Sequence, residues 1–316
     1  MPPFPMPLDK QSFCKVNLLL NILGKRPDGF HELETVLHPV SLHDSLSFER
    51  RGTRVRLKCN DPLLPVNARN LVFAAAERFL QTAGIHEGVR IHLEKRIPIA
   101  AGLGGGSGNA ATTLVAMNEL FGQPLPREAL LQLAASLGSD IPFFLQSRPA
   151  LATGRGELIT PLDFFPALAG AWMLLVHPGF GISTSWAYAQ LARHPEALHG
   201  KPGRAQHLIS LLQTAALSDA GKEFYNSLEA PALFKYPLLQ LFQEFFREHG
   251  AAAVLMSGSG STTFALTPSR SAAETLLEEF QAKFGSQFWT ALVELDGFLF
   301  ADRARRANLT LPCPMV

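Results

Sequence analysis

The sequence predicts an α+β fold in two domains, and three observations predict it. A chain of 316 residues with 47% hydrophobic content is long enough for two domains of ordinary size and supplies their cores. Stretches with apolar residues at every second position, the pattern of strands, alternate with stretches at three- to four-residue spacing, the pattern of helices. Around Asp163 to Pro166 the composition shifts through Pro and Gly, and a fresh apolar strand begins at Ala171. The boundary is placed there, giving domains over 1–166 and 167–316.

A net charge of +1 gives no electrostatic case for nucleic acid or an anionic membrane as partner. Cysteines stand at positions 14, 59 and 313, an odd number without close spacing. That argues against a disulfide framework or a zinc site and fits a reducing cytoplasm. The N-terminal MPPFPMPLDK has several prolines and no basic flank before an apolar core, so it does not read as a signal peptide. The longest apolar run, Ala167 to Val176, is about half of what a bilayer span takes. A soluble cytoplasmic protein is the expectation.

From Phe13 to Ile22 the residues alternate, with Cys14, Val16, Leu18, Leu20 and Ile22 on one face and Phe13, Lys15, Asn17, Leu19 and Asn21 on the other. Period two means a strand, and Lys15 and Asn17 project side by side from one of its faces. A solvated edge-strand lysine gives the same letters. Arg26-Pro27-Asp28-Gly29 is a turn signal joining two strands into a hairpin. Phe30 and His31 follow it directly, and hairpin packing accounts for them as readily as a ligand does. Strands around Leu46 to Phe48 and Val55 to Lys58 precede a helix over Asn70 to Leu80, for which Asn70 is a natural N-cap.

After an apolar strand carrying Val89, Ile91 and Leu93 comes Pro98 to Thr113, PIAAGLGGGSGNAATT, with four glycines in the five positions from Gly102 to Gly106. Glycine buries no side chain and loses more backbone entropy on ordering than any other residue, so something must offset that cost. Ala110, Leu114, Met117 and Phe121 then recur at helical spacing, predicting a helix that opens near Ser107 and closes at Gly122. A Gly-rich loop feeding a helix N-terminus offers backbone N–H groups and the positive end of the helix dipole, which makes an anion site and most naturally a phosphate site. Its place between an apolar strand and an Ala-rich helix argues against a flexible linker. It lacks the Gly-Lys-Ser/Thr ending of a P-loop and the G-x-G-x-x-G spacing of a dinucleotide fold.

Arg127 to Leu137 reads as a helix stopped by Gly138, and Ser139-Asp140-Ile141-Pro142 follows. An acid between Gly138 and an apolar run is poorly placed for a purely solvated role, although helix capping by Ser139 or Asp140 also accounts for it. Gly154-Arg155-Gly156-Glu157 is a turn between short strands. A strand over Trp172 to Val176 leads to a short helix capped by Ser183 or Thr184 and carrying Trp186 and Tyr188. Helices over Gly203 to Leu217 and Pro237 to His249 follow, the second opened by a proline suited to a first turn. Strands over Ala253 to Met256 and Thr262 to Leu266 flank a second Gly/Ser loop, Ser257 to Ser261. A helix over Ser271 to Phe284 and a strand over Trp289 to Phe300 complete a second layer.

Pro98, Gly102, Leu103, Gly104, Gly105, Gly106, Ser107 and Ala110-Ala111 resemble the phosphate-binding signature of the galactokinase, homoserine kinase, mevalonate kinase and phosphomevalonate kinase (GHMP) superfamily. Ser257 to Ser261 resembles its third motif, which folds back against the first phosphate loop. Lys15-Val16-Asn17 and the stretch from Gly24 to Leu33 are similar to the branch with a cytidyl substrate. The resemblance extends over nearly the whole chain, thinning between about Arg193 and Leu238. It implies a ribosomal-protein-S5-domain-2-like, nucleotide-binding N-terminal domain and a ferredoxin-like C-terminal domain. The implied activity is transfer of phosphate from ATP, with Mg²⁺, to the 2-hydroxyl of the cytidyl diphosphate of methylerythritol, in non-mevalonate isoprenoid precursor biosynthesis. The implied partner is thus a small molecule, with no nucleic acid and no membrane, for a monomer or weak homodimer.

Residue by residue, the resemblance implies Lys15 and Asp140 as catalytic groups, Asp140 being the carboxylate that accepts the hydroxyl proton. It puts Asn17, Phe30, His31, Thr184 and Tyr188 on the substrate, with cytosine stacked between Phe30 and either Tyr188 or Trp186. The usual ring at position 30 is Tyr. For ATP it implies Asn70 and Lys95 near the adenine, although capping and a solvated lysine explain both without a ligand. Pro98, Ala100, Ala101, Gly102, Leu103, Gly104, Gly105, Gly106, Ser107, Gly108 and Asn109 would hold the rest of the nucleotide. Ser107 is the candidate Mg²⁺ ligand, and Gly108 stands where the family more often has a second Ser. Gly154 to Glu157 matches a segment bordering the donor phosphates.

Two other readings stay open. A kinase of the same superfamily for homoserine or phosphomevalonate is set against by Asp28-Gly29-Phe30-His31-Glu32, which looks specific to the cytidyl branch. A non-catalytic nucleotide-binding sensor is set against by the presence of Lys15 and Asp140 together.

Overall fold

The alternation read from Phe13 to Ile22 belongs to a longer strand. β1 is Leu8–Lys25 and β2 is His31–Arg50, joined by the expected turn, in which the Gly29 N–H donates to Arg26 O at 3.1 Å. The computed structural model describes residues 7–146 and 148–295, and their helices and strands follow in α+β order. They form two compact units. The first runs through Cys14 and takes Leu42–Ile99 and Gly104–Leu145; the second takes Lys15–Ser41, Ala100–Leu103 and the chain from Gln146. These units interleave along the chain, whereas the expected division at 166/167 is a single cut.

In the first unit, β3 (Val55–Cys59) lies parallel to β4 (Val89–Glu94), and β4 pairs antiparallel with Ser45–Arg50 of β2. Helices α1 (Leu71–Thr82), α2 (Gly105–Leu120) and α3 (Arg127–Leu137) share one core with these strands, including Phe48, Ile91, Phe79, Leu114, Met117 and Ala134. Asn70 caps α1 as its sequence position predicts, its Oδ1 accepting from the Val72 N–H at 2.9 Å. α2 opens at Gly105 instead of near Ser107. Gly104, at φ 68, takes the left-handed turn that glycine tolerates, which brings Gly105 and Gly106 into the helix.

In the second unit, β5 (Ala150–Gly154) pairs antiparallel with Leu33–Leu37 of β2 and with β6 (Leu158–Pro161). β7 (Trp172–His177) is followed by α4 (Thr184–Gln190), α5 (Pro195–Leu198), α6 (Arg204–Thr214) and α7 (Leu217–Ala220). The single helix expected over Gly203 to Leu217 is therefore two, because Ala215 is extended at ψ 172. β8 (Tyr225–Asn226) runs parallel to Leu19–Leu20 of β1. Then come α8 (Glu229–Lys235), α9 (Pro237–Glu248), β9 (Ala253–Met256), β10 (Thr263–Thr267), α10 (Arg270–Phe284) and β11 (Trp289–Glu294).

The strands β11-β7-β10-β9 form an antiparallel sheet in that order. Numbered along the chain as a β-α-β-β-α-β unit with helices α9 and α10, the order is 4-1-3-2, which is the ferredoxin-like arrangement. Its core joins Leu174, Val176, Phe242, Phe246, Ala265 and Phe280. The stretch 296–300 of the expected final strand lies outside the described residues, as does Cys313. Cys14 is buried and Cys59 half-buried. Among the described residues no helix is long and apolar enough to cross a membrane.

Candidate active site

The first unit carries the start of α2. The first intrahelical bond is the Gly108 N–H to Gly104 O at 2.8 Å, so the N–H groups of Gly105, Gly106 and Ser107 precede it. No side chain caps this end and no acid stands in its first turn, which leaves the positive end of the dipole to whatever anion meets it. Gly106 is exposed and Ser107 half-buried. At Gly108 a Cβ would sit 2.6 Å from the Phe13 carbonyl oxygen, so any side chain here requires the backbone beneath it to shift. Upstream, Pro98 is half-buried and Ala100 holds φ 54, a conformation that disfavours side chains and marks local strain in the loop.

Asn70 and Lys95, read as approaching the adenine, are both held by protein groups of this unit. The Asn70 amide donates to Pro65 O at 2.8 Å while its oxygen caps α1. Lys95 is no solvated lysine: its side chain is 7% exposed and is ion-paired with the fully buried Asp44. Asn109 accepts from Lys95 Nζ at 3.3 Å and donates to Asp44 Oδ2 and Ser12 Oγ at 2.9 Å each. Asp44 escaped the sequence reading. The available signal is its phase, since it lies at two-residue spacing with the buried Leu46 and Phe48, so an acid stands on an apolar face.

Asp140 lies in the turn after α3, beyond Gly138, which ends the helix. Its side chain is exposed, so the inference that its neighbours argue against a solvated position is corrected: the turn lifts it clear of Ile141 and Pro142, which are buried beside it. Among the described residues no three His, Cys, Asp or Glu side chains are grouped to hold a metal ion.

In the second unit, Lys15 and Asn17 do share a face of β1, and both are buried at 3% exposure, which removes the edge-strand reading. Lys15 Nζ donates at 2.6 Å to both Asn17 Oδ1 and Gly102 O. The Asn17 amide donates to Thr35 Oγ1 at 2.8 Å, and Thr35 Oγ1 donates on to Leu19 O. Asn17 is therefore oriented with its oxygen toward the ammonium. The second Gly/Ser loop does pack on residues of the first, since Ser257 Oγ donates to Gly102 O at 3.0 Å and the Thr262 N–H to Ala101 O at 3.2 Å. Gly102, at φ 77, has no room for a side chain: a Cβ there would meet Ser257 O at 2.0 Å. Leu103 is buried and accepts from the Lys15 N–H at 3.0 Å.

The hairpin aromatics of this unit each have a neighbour within the chain. The His31 and Tyr188 rings lie 5.0 Å apart, whereas Phe30, 52% exposed, carries the Arg155 guanidinium 4.6 Å above its ring. The Trp186 ring lies 6.1 Å from that of Tyr236. Arg155, read as part of a turn in a segment that the resemblance sets beside the donor phosphates, is thus a neighbour of the Phe30 ring. Burial, with Lys25 nearby, holds the His31 imidazole below its ordinary pKa, so near neutral pH one ring nitrogen donates and the other accepts. Thr184 Oγ1 is 3.0 Å from Ser259 Oγ, at the start of α4. Ser183 is the N-cap of that helix, its Oγ accepting from the Trp186 N–H.

A left-handed glycine opening an uncapped helix, and a second Gly/Ser loop tied to the first, are features of one family of small-molecule kinases. The family models for the GHMP kinases N terminal domain and the GHMP kinases C terminal match residues 70–148 and 208–286. The "4-diphosphocytidyl-2-C-methyl-D-erythritol kinase" of Acaryochloris marina is 40% identical over 280 residues, 85% of this chain and 89% of its own. The protein of the same description from Gloeobacter violaceus is 38% identical, covering 92% and 95%. A crystal structure of "4-(cytidine 5'-diphospho)-2C-methyl-D-erythritol kinase" superposes with a TM-score of 0.73 at 33% identity, covering 91% of this chain and 99% of that one. The homoserine kinase of Cytophaga hutchinsonii, at 21% identity and a TM-score of 0.67, shares the fold. The chain belongs to the GHMP kinase family and, within it, to the 4-diphosphocytidyl-2-C-methyl-D-erythritol kinases. As a GHMP kinase it takes ATP as phosphoryl donor and a small molecule as acceptor.

Proposed function

We propose that the chain transfers the γ-phosphoryl group of ATP to the 2-hydroxyl of 4-diphosphocytidyl-2-C-methyl-D-erythritol, giving the 2-phosphate and ADP for isoprenoid precursor synthesis in the cytoplasm. The observation that carries this reading is the uncapped start of α2 behind Gly104. Phosphoryl transfer passes through a largely dissociative transition state, so catalysis consists mostly of positioning and charge neutralisation. The N–H groups at Gly105, Gly106 and Ser107 do the positioning, binding the β- and γ-phosphates.

In this reading Asp140 accepts the proton of the acceptor hydroxyl as its oxygen bonds to the γ-phosphorus and ADP departs. The Lys15 ammonium neutralises charge on the moving group, and Asn17, fixed by Thr35, orients the acceptor. His31 reads the cytosine edge with its donor and acceptor nitrogens, and Tyr188, whose ring lies beside it, stacks on the base. Ser107 supplies a hydroxyl for Mg²⁺, which needs few protein ligands when substrate phosphates complete its shell. Bound there, the ion would neutralise charge on the phosphates. Asn70 and Asn109 serve the nucleotide through the backbone they hold, since their amides are engaged with protein groups.

An ADP-release assay with three acceptors tests the proposal. Turnover is expected with the cytidyl erythritol and not with homoserine or phosphomevalonate. Turnover with either of the latter alone would move the chain to another branch of the family.

A further inference from the structure

Lys95 raises a physical question that its proposed part in nucleotide binding does not answer. Its ammonium sits against the first residue of α2, where a Cβ on Gly105 would be only 3.2 Å from Nζ. That is the positive end of a helix, which repels a cation. Burial removes the water that would otherwise solvate the charge. Something must hold the ammonium there.

Asp44 does so. Fully buried, its Oδ1 accepts from the backbone N–H groups of Arg96 and Ile97 at 2.7 and 2.9 Å. Its Oδ2 takes the Lys95 ammonium and the Asn109 amide. One carboxylate thus fixes the lysine, the backbone that follows it, and the first turns of α2 through Asn109. An ion pair built only for stability has no reason to be here, because a well-packed apolar pair of similar volume is often as stable. An ammonium donates three hydrogen bonds, and among the described residues Asp44 and Asn109 accept from it.

We propose that Asp44 is a positioning residue for the nucleotide: it holds the Lys95 ammonium beside Gly105, so that a cation and the uncapped start of α2 meet the same phosphate or ribose oxygen. The inference rests on the reading of α2 as the ATP phosphate site. It predicts a residue that touches neither substrate yet sets the affinity for one of them.

The test uses the full-length protein with Asp44→Asn, which keeps one acceptor oxygen for Arg96 and Ile97 and removes the charge. ATP KM and the calorimetric ATP Kd should each rise by about tenfold or more, as loss of one partner of a buried charge pair does, while acceptor KM stays within about twofold. The double variant Asp44→Asn/Lys95→Gln should bind ATP about as weakly as Asp44→Asn alone, because a lysine no longer held has little left to lose. If Asp44→Asn does not fold, Lys95→Gln, whose amide still donates to Asp44, should show the same split between the two substrates. Unchanged or tighter ATP binding in a folded variant, or equal shifts in both KM values with only the melting temperature lowered, would overturn the proposal. Parent protein that binds no ATP would instead sink the reading on which it rests.

Discussion

At Lys15 the chain buries an ammonium on the face of a strand, where an amide oxygen and a loop carbonyl are among its acceptors. Burying a charge is costly unless it is hydrogen-bonded and paired. Asp140 is the opposite case, an exposed residue in a turn. Asp140→Asn should lower kcat by about 10²–10⁴-fold with ATP Kd unchanged in calorimetry, as expected for loss of a general base. Tyr188→Ala should raise acceptor KM by the equivalent of about 1–3 kcal/mol, the worth of one base stack, and leave ATP KM alone. Steady-state kinetics with each substrate varied in turn reads both. The strand face of Lys15 and Asn17 was legible from period two, whereas the roles proposed for these residues come from the family resemblance. The pairing of Tyr188 with His31, and of Arg155 with Phe30, was not legible, since it depends on how α4 and the β5–β6 turn pack on the hairpin.

Elements came through the sequence where one signal set each end. α3 and β9 have the expected bounds, the helix stopped by Gly138 and the strand entered after Gly250. The start of α2 shifted by two residues because a run of glycines can be loop or helix by composition, and only the left-handed turn at Gly104 decides. The same helix has a tight contact at its first turn. Gly108 faces the Phe13 carbonyl closely enough that Gly108→Ser would push one of the two backbones aside, a cost of about 1–3 kcal/mol by analogy with overpacked cores. Thermal melts should show that variant with a lower Tm than the parent. A melting temperature equal to or above the parent's would mean that the strand yields freely.

Across the whole chain the sequence pattern conveyed the α+β class and the two glycine-bearing loops, yet not the interleaving of the two compact units, because long-range pairing leaves no local trace. Buried acids were equally silent. Glu229, on α8, accepts from the Met256 N–H at 2.7 Å and from Gln243 at 2.6 Å, and burial pushes its carboxyl up to about 7. The folded chain therefore holds this proton more tightly than the unfolded one, whose carboxyl titrates near 4.5. Stability linked to the proton is complete below that value and is lost as pH rises to about 7. Glu229→Gln, a neutral mimic, should match the parent's Tm in acid and exceed it in mild alkali. A difference that does not change with pH would mean that the carboxyl titrates normally in the fold.

All of this converges on one transfer, from the γ-phosphate of ATP to a tertiary hydroxyl on a cytidyl-capped acceptor. Phosphorus NMR of the purified protein incubated with ATP, Mg²⁺ and 4-diphosphocytidyl-2-C-methyl-D-erythritol tests it most directly. The predicted result is a new phosphomonoester resonance, coupled to the 2-position of the acceptor, growing in step with ADP. ADP formed together with free inorganic phosphate and no new ester, or an ester formed only when homoserine replaces the cytidyl substrate, would contradict it.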